Sequence, residues 1–153
     1  MNLLLIRHAT ARALELPDGD FVRHLGEKGH EQARRAGRFL RKHDLIPEVL
    51  LTSPVIRAKE TADLLAEEGC PKPTIEPWLE CGMRPEQALE ELKAYRDFSR
   101  VAIVGHEPDF SALVENIIGA TAYSIKVKKC SLISLELGRH PQLNFSIPCK
   151  FLR

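Results

Sequence analysis

Two arginines and two histidines stand apart from the other charged residues because each follows closely on a short apolar run. Arg7-His8 follows Leu3 to Ile6, Arg57 comes soon after Val49 to Leu51, and Gly105-His106 follows Val101 to Val104. A guanidinium fork suits the oxygens of a tetrahedral anion, and a neutral imidazole is a competent nucleophile near neutral pH. If those segments converge, the four side chains could hold a phosphoryl group and attack it.

Position, not residue type, carries this reading. The same chain also contains Arg23-His24 and Arg139-His140, the latter in a turn-like segment. Only Arg7-His8 ends a buried-strand pattern, where two polar side chains must find partners or a ligand. Arg57 falls in the first turn of a helix predicted to begin near Pro54, where a cation is unfavourable unless an anion shares the helix end. The alternative for Arg57 is an exposed pair with Glu60 or Glu76, a weak interaction. His106 lies at a strand-to-helix turn before Glu107-Pro108-Asp109, which read as helix-start residues. His24, His30, His43 and His140 lack such placement, and His30 and His43 fall on the exposed side of the first helix.

The elements that must position these residues are legible as a rhythm. The three apolar runs read as buried strands, each followed by a helical pattern. The first helix carries Ala33, Gly37 and Leu40 on one face, and a later one carries Phe110, Leu113, Val114, Ile117 and Ile118 before Gly119. Ser53-Pro54 supplies a hydroxyl cap and a proline for the helix near Pro54, and Pro85 opens a stretch with Ala88, Leu92 and Tyr95 in register. Ile133, Leu135 and Leu137 alternate with polar residues, Gly138 to Pro141 turn the chain, and Leu143, Phe145 and Ile147 alternate again, which predicts a closing hairpin. The expected fold is α/β: three layers, αβα, with a mostly parallel sheet, helices on both faces and a C-terminal antiparallel hairpin. In such sheets ligands bind beyond the carboxyl ends of the strands, where the four residues stand.

Composition narrows the classes. At 153 residues the chain fits a single domain spanning residues 1–153. With 22 Lys and Arg against 21 Asp and Glu, the net charge of +1 provides no overall field for nucleic acid or for a membrane surface. The apolar run at the N-terminus is too short for a signal-peptide core or a membrane span. Cys70, Cys81, Cys130 and Cys149 are scattered without a C-x-x-C pair, which fits neither a zinc site nor a disulfide framework. The expectation is a cytoplasmic protein with reduced thiols; the oligomeric state is not legible.

Taken together, Leu4-Leu5-Ile6-Arg7-His8, Ser53-Pro54-Val55-Ile56-Arg57-Ala58-Lys59-Glu60-Thr61-Ala62 and Val104-Gly105-His106 resemble the histidine phosphatase superfamily, the phosphoglycerate mutase-like proteins. Arg23-His24-Leu25 with Gly29 and Gln32-Ala33 resembles the turn and helix start after the first motif. The short length, Cys81-Gly82 and the hairpin ending in Ile147-Pro148-Cys149 resemble the compact SixA-like branch, the phosphohistidine phosphatases. The resemblance implies that His8 is the nucleophile and becomes phosphorylated, that Arg7, Arg57 and His106 surround the phosphoryl oxygens, and that no metal or organic cofactor is needed. Arg23, Glu80 and Ser53 are the secondary candidates for contact with substrate.

The chain departs from the larger members of that superfamily, which use a carboxylic acid to protonate the leaving oxygen. Glu80, in Trp78-Leu79-Glu80-Cys81-Gly82, lies in the right region but in a poorly matching context. Such an acid contributes ~10²–10⁴ in rate, which an alkoxide leaving group needs and an imidazole, with a pKa of ~6.5, needs far less. The expected activity is therefore a phosphatase with a phosphohistidine intermediate acting on phosphohistidine in a protein, such as a histidine-transfer domain, and so a part in signal transduction. The alternatives are a phosphomonoesterase for a small phosphorylated substrate with Glu80 as acid, or a non-catalytic phosphate-binding domain.

Overall fold

The computed structural model describes residues 1–14 and 19–153. Six strands form one sheet in the order β3-β2-β4-β1-β5-β6: β1 (Asn2–Arg7), β2 (Val49–Thr52), β3 (Thr74–Ile75), β4 (Arg100–Gly105), β5 (Leu132–Glu136) and β6 (Gln142–Ile147). β1, β2 and β3 connect through parallel pairing on either side of β4, while β5 and β6 add an antiparallel hairpin beside β1. Helices α1 (Glu27–Lys42), α2 (Ile56–Glu67), α3 (Pro85–Leu92) and α4 (Asp109–Ile118) complete the α/β fold.

Alternation along the central strands sends side chains into two cores. Leu4, Ile6, Leu50, Ala102 and Val104 pack with Ala33, Ala36 and Leu40 of α1 and Ala58, Ala62 and Leu65 of α2. Leu3, Leu5, Leu51, Val101 and Ile103 pack with Ala88 and Leu92 of α3 and Phe110, Leu113 and Val114 of α4. Both faces of these strands are covered, which is why they read as continuous apolar runs. The helices therefore form outer layers on either side of the sheet, and Gly119 closes α4 in the left-handed conformation at φ 69°.

Some local expectations shift. α2 starts at Ile56 with Val55 at its N-cap, and no side chain caps it. Ser53 sits too early to reach the helix amides; its hydroxyl instead accepts the Val55 N–H at 3.2 Å. Tyr95 falls in a 3₁₀ turn beyond α3. β5 is buried on both faces because α-layer side chains cover each, whereas β6 is the exposed edge. Two glycines permit close approaches: a Cβ on Gly105 would lie 2.8 Å from the Phe110 ring, and one on Gly29 would lie 2.1 Å from the Thr10 carbonyl oxygen. Among the described residues no helix is long and apolar enough to cross a membrane.

Candidate active site

Strand register brings the site together. β4 lies between β1 and β2, with Gly105 opposite Arg7 and Val104 opposite Thr52. The ladder continues one step past each strand: His8 N–H donates to the Gly105 carbonyl at 2.9 Å and Ser53 N–H to the Val104 carbonyl at 3.0 Å. The residues after three strands, distant in sequence, thus stand side by side. The rings of His8 and His106 have centroids 5.4 Å apart, and Arg57, one residue into α2, reaches back to His8.

Both nitrogens of the His8 ring are assigned by their partners. Nδ1 lies 2.8 Å from the Ala9 carbonyl oxygen, which can only accept, so Nδ1 carries the proton. Arg57 Nε–H, which can only donate, points to Nε2 at 3.3 Å. Nε2 therefore presents its lone pair. The Ala9 peptide is held in turn by Thr61, whose hydroxyl accepts the Ala9 N–H at 3.0 Å and donates to the Arg57 carbonyl at 2.7 Å. Burial, opposed by the Ala9 bond and reinforced by His106, Arg57 and Arg7, lowers the His8 pKa to about 3. Near neutral pH the ring is uncharged, with its Nε2 lone pair unprotonated.

Arg57 is 5% exposed, so a surface pair with Glu60 or Glu76 is ruled out. Its partners are the Asp20 carbonyl, 2.8 Å from Nη1, and the Asp20 carboxylate, 3.0 Å from Nη2. Glu60 instead accepts the Leu25 N–H and binds His24, and Glu76 accepts the Tyr95 hydroxyl. Arg23 pairs with the other oxygen of Asp20 at 3.0 Å, so it borders the site through Asp20. Arg7 donates from Nη1 to the Val127 carbonyl at 2.9 Å, while its Nε has no partner among the described residues. Lys129 joins this cationic wall: burial lowers its pKa, with Arg7, Arg23, Arg57 and Lys28 adding to the effect.

His106 Nε2 lies 2.8 Å from the Ser53 hydroxyl. That oxygen also accepts the Val55 N–H, and the arrangement that uses the hydroxyl proton aims it at Nε2 and puts the ring proton on Nδ1. His106 Nδ1 is buried without a partner among the described residues, and burial, then Arg57, lowers the pKa of the ring to about 4. An unsatisfied buried N–H costs roughly 1–3 kcal/mol, which an anionic oxygen would offset. Ser53 is fully buried and bonded to His106.

The nearby carboxylates are already engaged. Asp109 accepts the Gly82 and Met83 N–H groups at 2.9 and 3.2 Å and so fixes the loop carrying Cys81, whose sulfur is 3.8 Å from Arg57 Nη2. Burial raises the Asp109 pKa against those two hydrogen bonds. Glu107 accepts the Ser111 N–H and hydroxyl. Glu80 is exposed and bonds to none of Arg7, His8, Arg57 or His106. Asp20, Thr61 and Lys129 are the residues of this site that sequence reasoning missed. Among the described residues no group of three or more His, Cys, Asp or Glu is arranged to hold a metal ion.

Residues 3–80 match the model of the histidine phosphatase superfamily (branch 1), a span that includes His8 and Arg57 and stops short of His106. An uncharacterized protein of Picosynechococcus sp. is 32% identical over 148 residues, 90% of this chain and 86% of that one. A 2,3-bisphosphoglycerate-dependent phosphoglycerate mutase of Rhodococcus opacus is 42% identical over 65 residues, covering 41% of this chain and only 26% of the mutase. Among solved structures, the protein histidine phosphatase SixA complexed with tungstate superposes with a TM-score of 0.89 at 21% identity, covering 100% of each chain. The alpha-ribazole phosphatase of Shigella flexneri superposes with a TM-score of 0.79 at 20% identity, covering 97% of each chain. At those identities the likeness is one of fold.

Proposed function

The chain belongs to the histidine phosphatase superfamily, and we propose that it is a phosphatase working through a phosphohistidine on His8, with phosphohistidine in a protein as substrate. The observation that carries this reading is the pair of fixed partners on His8: an acceptor on Nδ1 and a donor on Nε2 leave one nitrogen lone pair facing Arg57. In the first step Nε2 forms a bond to phosphorus as the bond to the leaving nitrogen breaks. Arg7, Arg57 and the His106 Nδ1–H stabilise charge on the phosphoryl oxygens. Water then attacks phosphorus, and His8 departs from inorganic phosphate with its lone pair restored. Asp20 holds the Arg57 fork, Ser53 holds His106, and Thr61 holds Ala9 by its N–H.

The choice of phosphohistidine over an ester rests on the engaged carboxylates. Asp20, Glu107 and Asp109 accept hydrogen bonds or pair with arginine, and among the described residues exposed Glu80 makes no hydrogen bond or ion pair with the four central residues. An imidazole leaving group tolerates this arrangement, while an alkoxide forgoes a factor of ~10²–10⁴. The likeness in fold to the tungstate-bound SixA supports the same reading. A panel comparing a phosphorylated histidine-transfer domain with alkyl and sugar phosphates tests it, with wild type expected to prefer the former. Rapid-quench intact mass should detect a phosphoryl adduct that His8→Ala abolishes along with turnover. Undiminished turnover by His8→Ala would overturn the nucleophile, and an ester preference that Glu80→Gln reduces about tenfold would favour the metabolite phosphomonoesterase. Saturable phosphate binding without any adduct would mark a non-catalytic module.

A further inference from the structure

Beside the phosphoryl pocket lies a separate cleft of about 400 Å³ whose charged lining is almost wholly basic. Lys28 and Arg35 come from one face of α1, Lys128 and Lys129 from the loop before β5, and Lys150 from the 3₁₀ turn Cys149–Phe151; Glu31 is its one acidic residue. The chain as a whole carries a net charge of only +1, so this concentration is local. Elsewhere on α1 three arginines have carboxylate partners: Arg34 with Glu67, Arg38 with Glu31, and Arg41 with Glu68. Glu31 is thus drawn to Arg38 at 3.1 Å and lies 3.8 Å from Arg35. Among the described residues Lys28, Lys128, Lys129 and Lys150 form no ion pair.

The cleft is joined to the pocket by the backbone. Val127 receives Arg7 Nη1 through its carbonyl, and Cys130 N–H donates to the carbonyls of Arg7 and His8 at 3.0 and 3.3 Å. Lys128 and Lys129 lie between those two anchors, and Thr10, two residues beyond His8, also lines the cleft. Lys28 and Arg35 are seven residues apart on α1, roughly 10 Å along its axis, so the basic face is extended and not a point. Exposed like charges held this way repel one another and favour an acidic surface in contact.

From this geometry we infer that the cleft docks an acidic stretch of the phosphoprotein substrate, next to the phosphorylated histidine that enters the pocket. The inference rests on the phosphohistidine reading for the identity of the substrate. The cleft then supplies affinity and selection among phosphoproteins, while the pocket supplies the chemistry.

Two phosphohistidine peptides of equal length, one flanked by Asp and Glu and one by Ser and Gln, test it in steady-state assays of the full chain. The acidic peptide should have a KM about tenfold lower with a similar kcat, and the advantage should shrink as salt rises from about 0.05 to about 0.25 M. The combined change Lys28→Glu, Lys128→Glu and Lys150→Glu, at three exposed positions, should abolish that advantage and leave turnover of small phosphoramidate within about twofold. If charge reversal prevents folding, the corresponding Lys→Gln variant is measured instead. Equal KM values in wild type, or a preference that survives the substitutions, would overturn the docking surface. If neither phosphopeptide is turned over, the phosphohistidine reading fails, and anisotropy of the labelled, unphosphorylated acidic peptide decides the cleft separately. Binding lost in the triple variant supports the cleft; no binding, or binding of tripolyphosphate alone, overturns it.

Discussion

The two ends of the sheet handle polar side chains differently. At the amino ends of the strands, the Met1 amino group pairs with Glu136 at 2.9 Å, Glu48 accepts the Ser99 and Arg100 N–H groups at 2.8 and 3.2 Å, and Arg100 donates to the carbonyls of Asp44 and Ile46 at 2.9 and 3.3 Å. Opposite charges meet there singly, near solvent. At the carboxyl ends His8, Ser53, Arg57 and His106 are buried, Arg7 and Lys129 lie near Arg57, and Asp20 pairs with Arg57 and Arg23. Polar atoms without partners among the described residues occur at both ends, Arg100 Nε and Asn2 Oδ1 at one, Arg7 Nε and His106 Nδ1 at the other. An orphaned atom therefore does not mark the site. What marks it is two guanidinium groups, one of them buried, converging on one buried imidazole.

The contrast predicts a separation between activity and stability. The largest effect belongs to Arg57→Ala, which removes the donor to His8 Nε2 and one guanidinium from the proposed phosphoryl site. By analogy with oxyanion donors, kcat/KM on a phosphohistidine substrate should fall by about 10²–10³. Because Arg57 lies near Arg7 and Lys129, and its acidic partner Asp20 is half exposed and keeps Arg23, its loss should leave thermal stability comparatively intact. A variant that unfolds while the residual folded fraction keeps its activity would break the contrast.

Next in size is acid sensitivity. The folded His8 pKa of about 3 lies below its ordinary 6.5, as does that of His106 at about 4. Between those values and 6.5 the unfolded chain binds protons that the folded one excludes, so stability is full above about pH 6.5 and declines as pH falls through the window. His8 alone should contribute a loss on the order of 2 kcal/mol between pH 7 and pH 5. Urea midpoints across that range should fall, and less steeply in His8→Gln. An unchanged slope in that variant would mean that the ring titrates as in an unfolded chain.

A smaller effect tests a residue that touches no phosphate. Thr61→Val keeps shape but removes the hydroxyl that fixes the Ala9 peptide and, through it, the His8 tautomer. A reduction of kcat of about tenfold, restored by Thr61→Ser, is expected if positioning is its contribution. A loss that Thr61→Ser does not restore would assign the effect to packing.

How much of this was legible follows from the same contrast. β1, β2 and β4 are legible because burial on both faces requires unbroken apolar runs, and the strand-end rule then locates Arg7, His8 and His106. β3 is invisible because two exposed edge residues, Thr74 and Ile75, carry no pattern. Asp20 is invisible for another reason: it opens the short 3₁₀ turn Asp20–Val22, and its bond to Arg57 exists only once that turn packs against α2. Thr61 was in plain view four residues after Arg57, yet a threonine on a helix gives no sign that it will receive the amide of Ala9. The Ser53 misreading has a similar origin, since a hydroxyl before a proline resembles a cap until Val55 and His106 claim it.

The smallest effect comes from the other end of the sheet. Glu48→Ala removes the acceptor of two backbone N–H groups that join the β2 entrance to the start of β4, both exposed to water once freed. Because water replaces the lost partner, the cost should be only about 0.5–1.5 kcal/mol in a urea titration. The strand ends that carry His8 and His106 lie at the far side of β4 and β1 and keep their ladder bonds, so kcat and KM should not change. A drop in kcat without a larger loss of stability would show that the two ends are coupled through the strands, and the division between a supporting end and a reacting end would have to be abandoned.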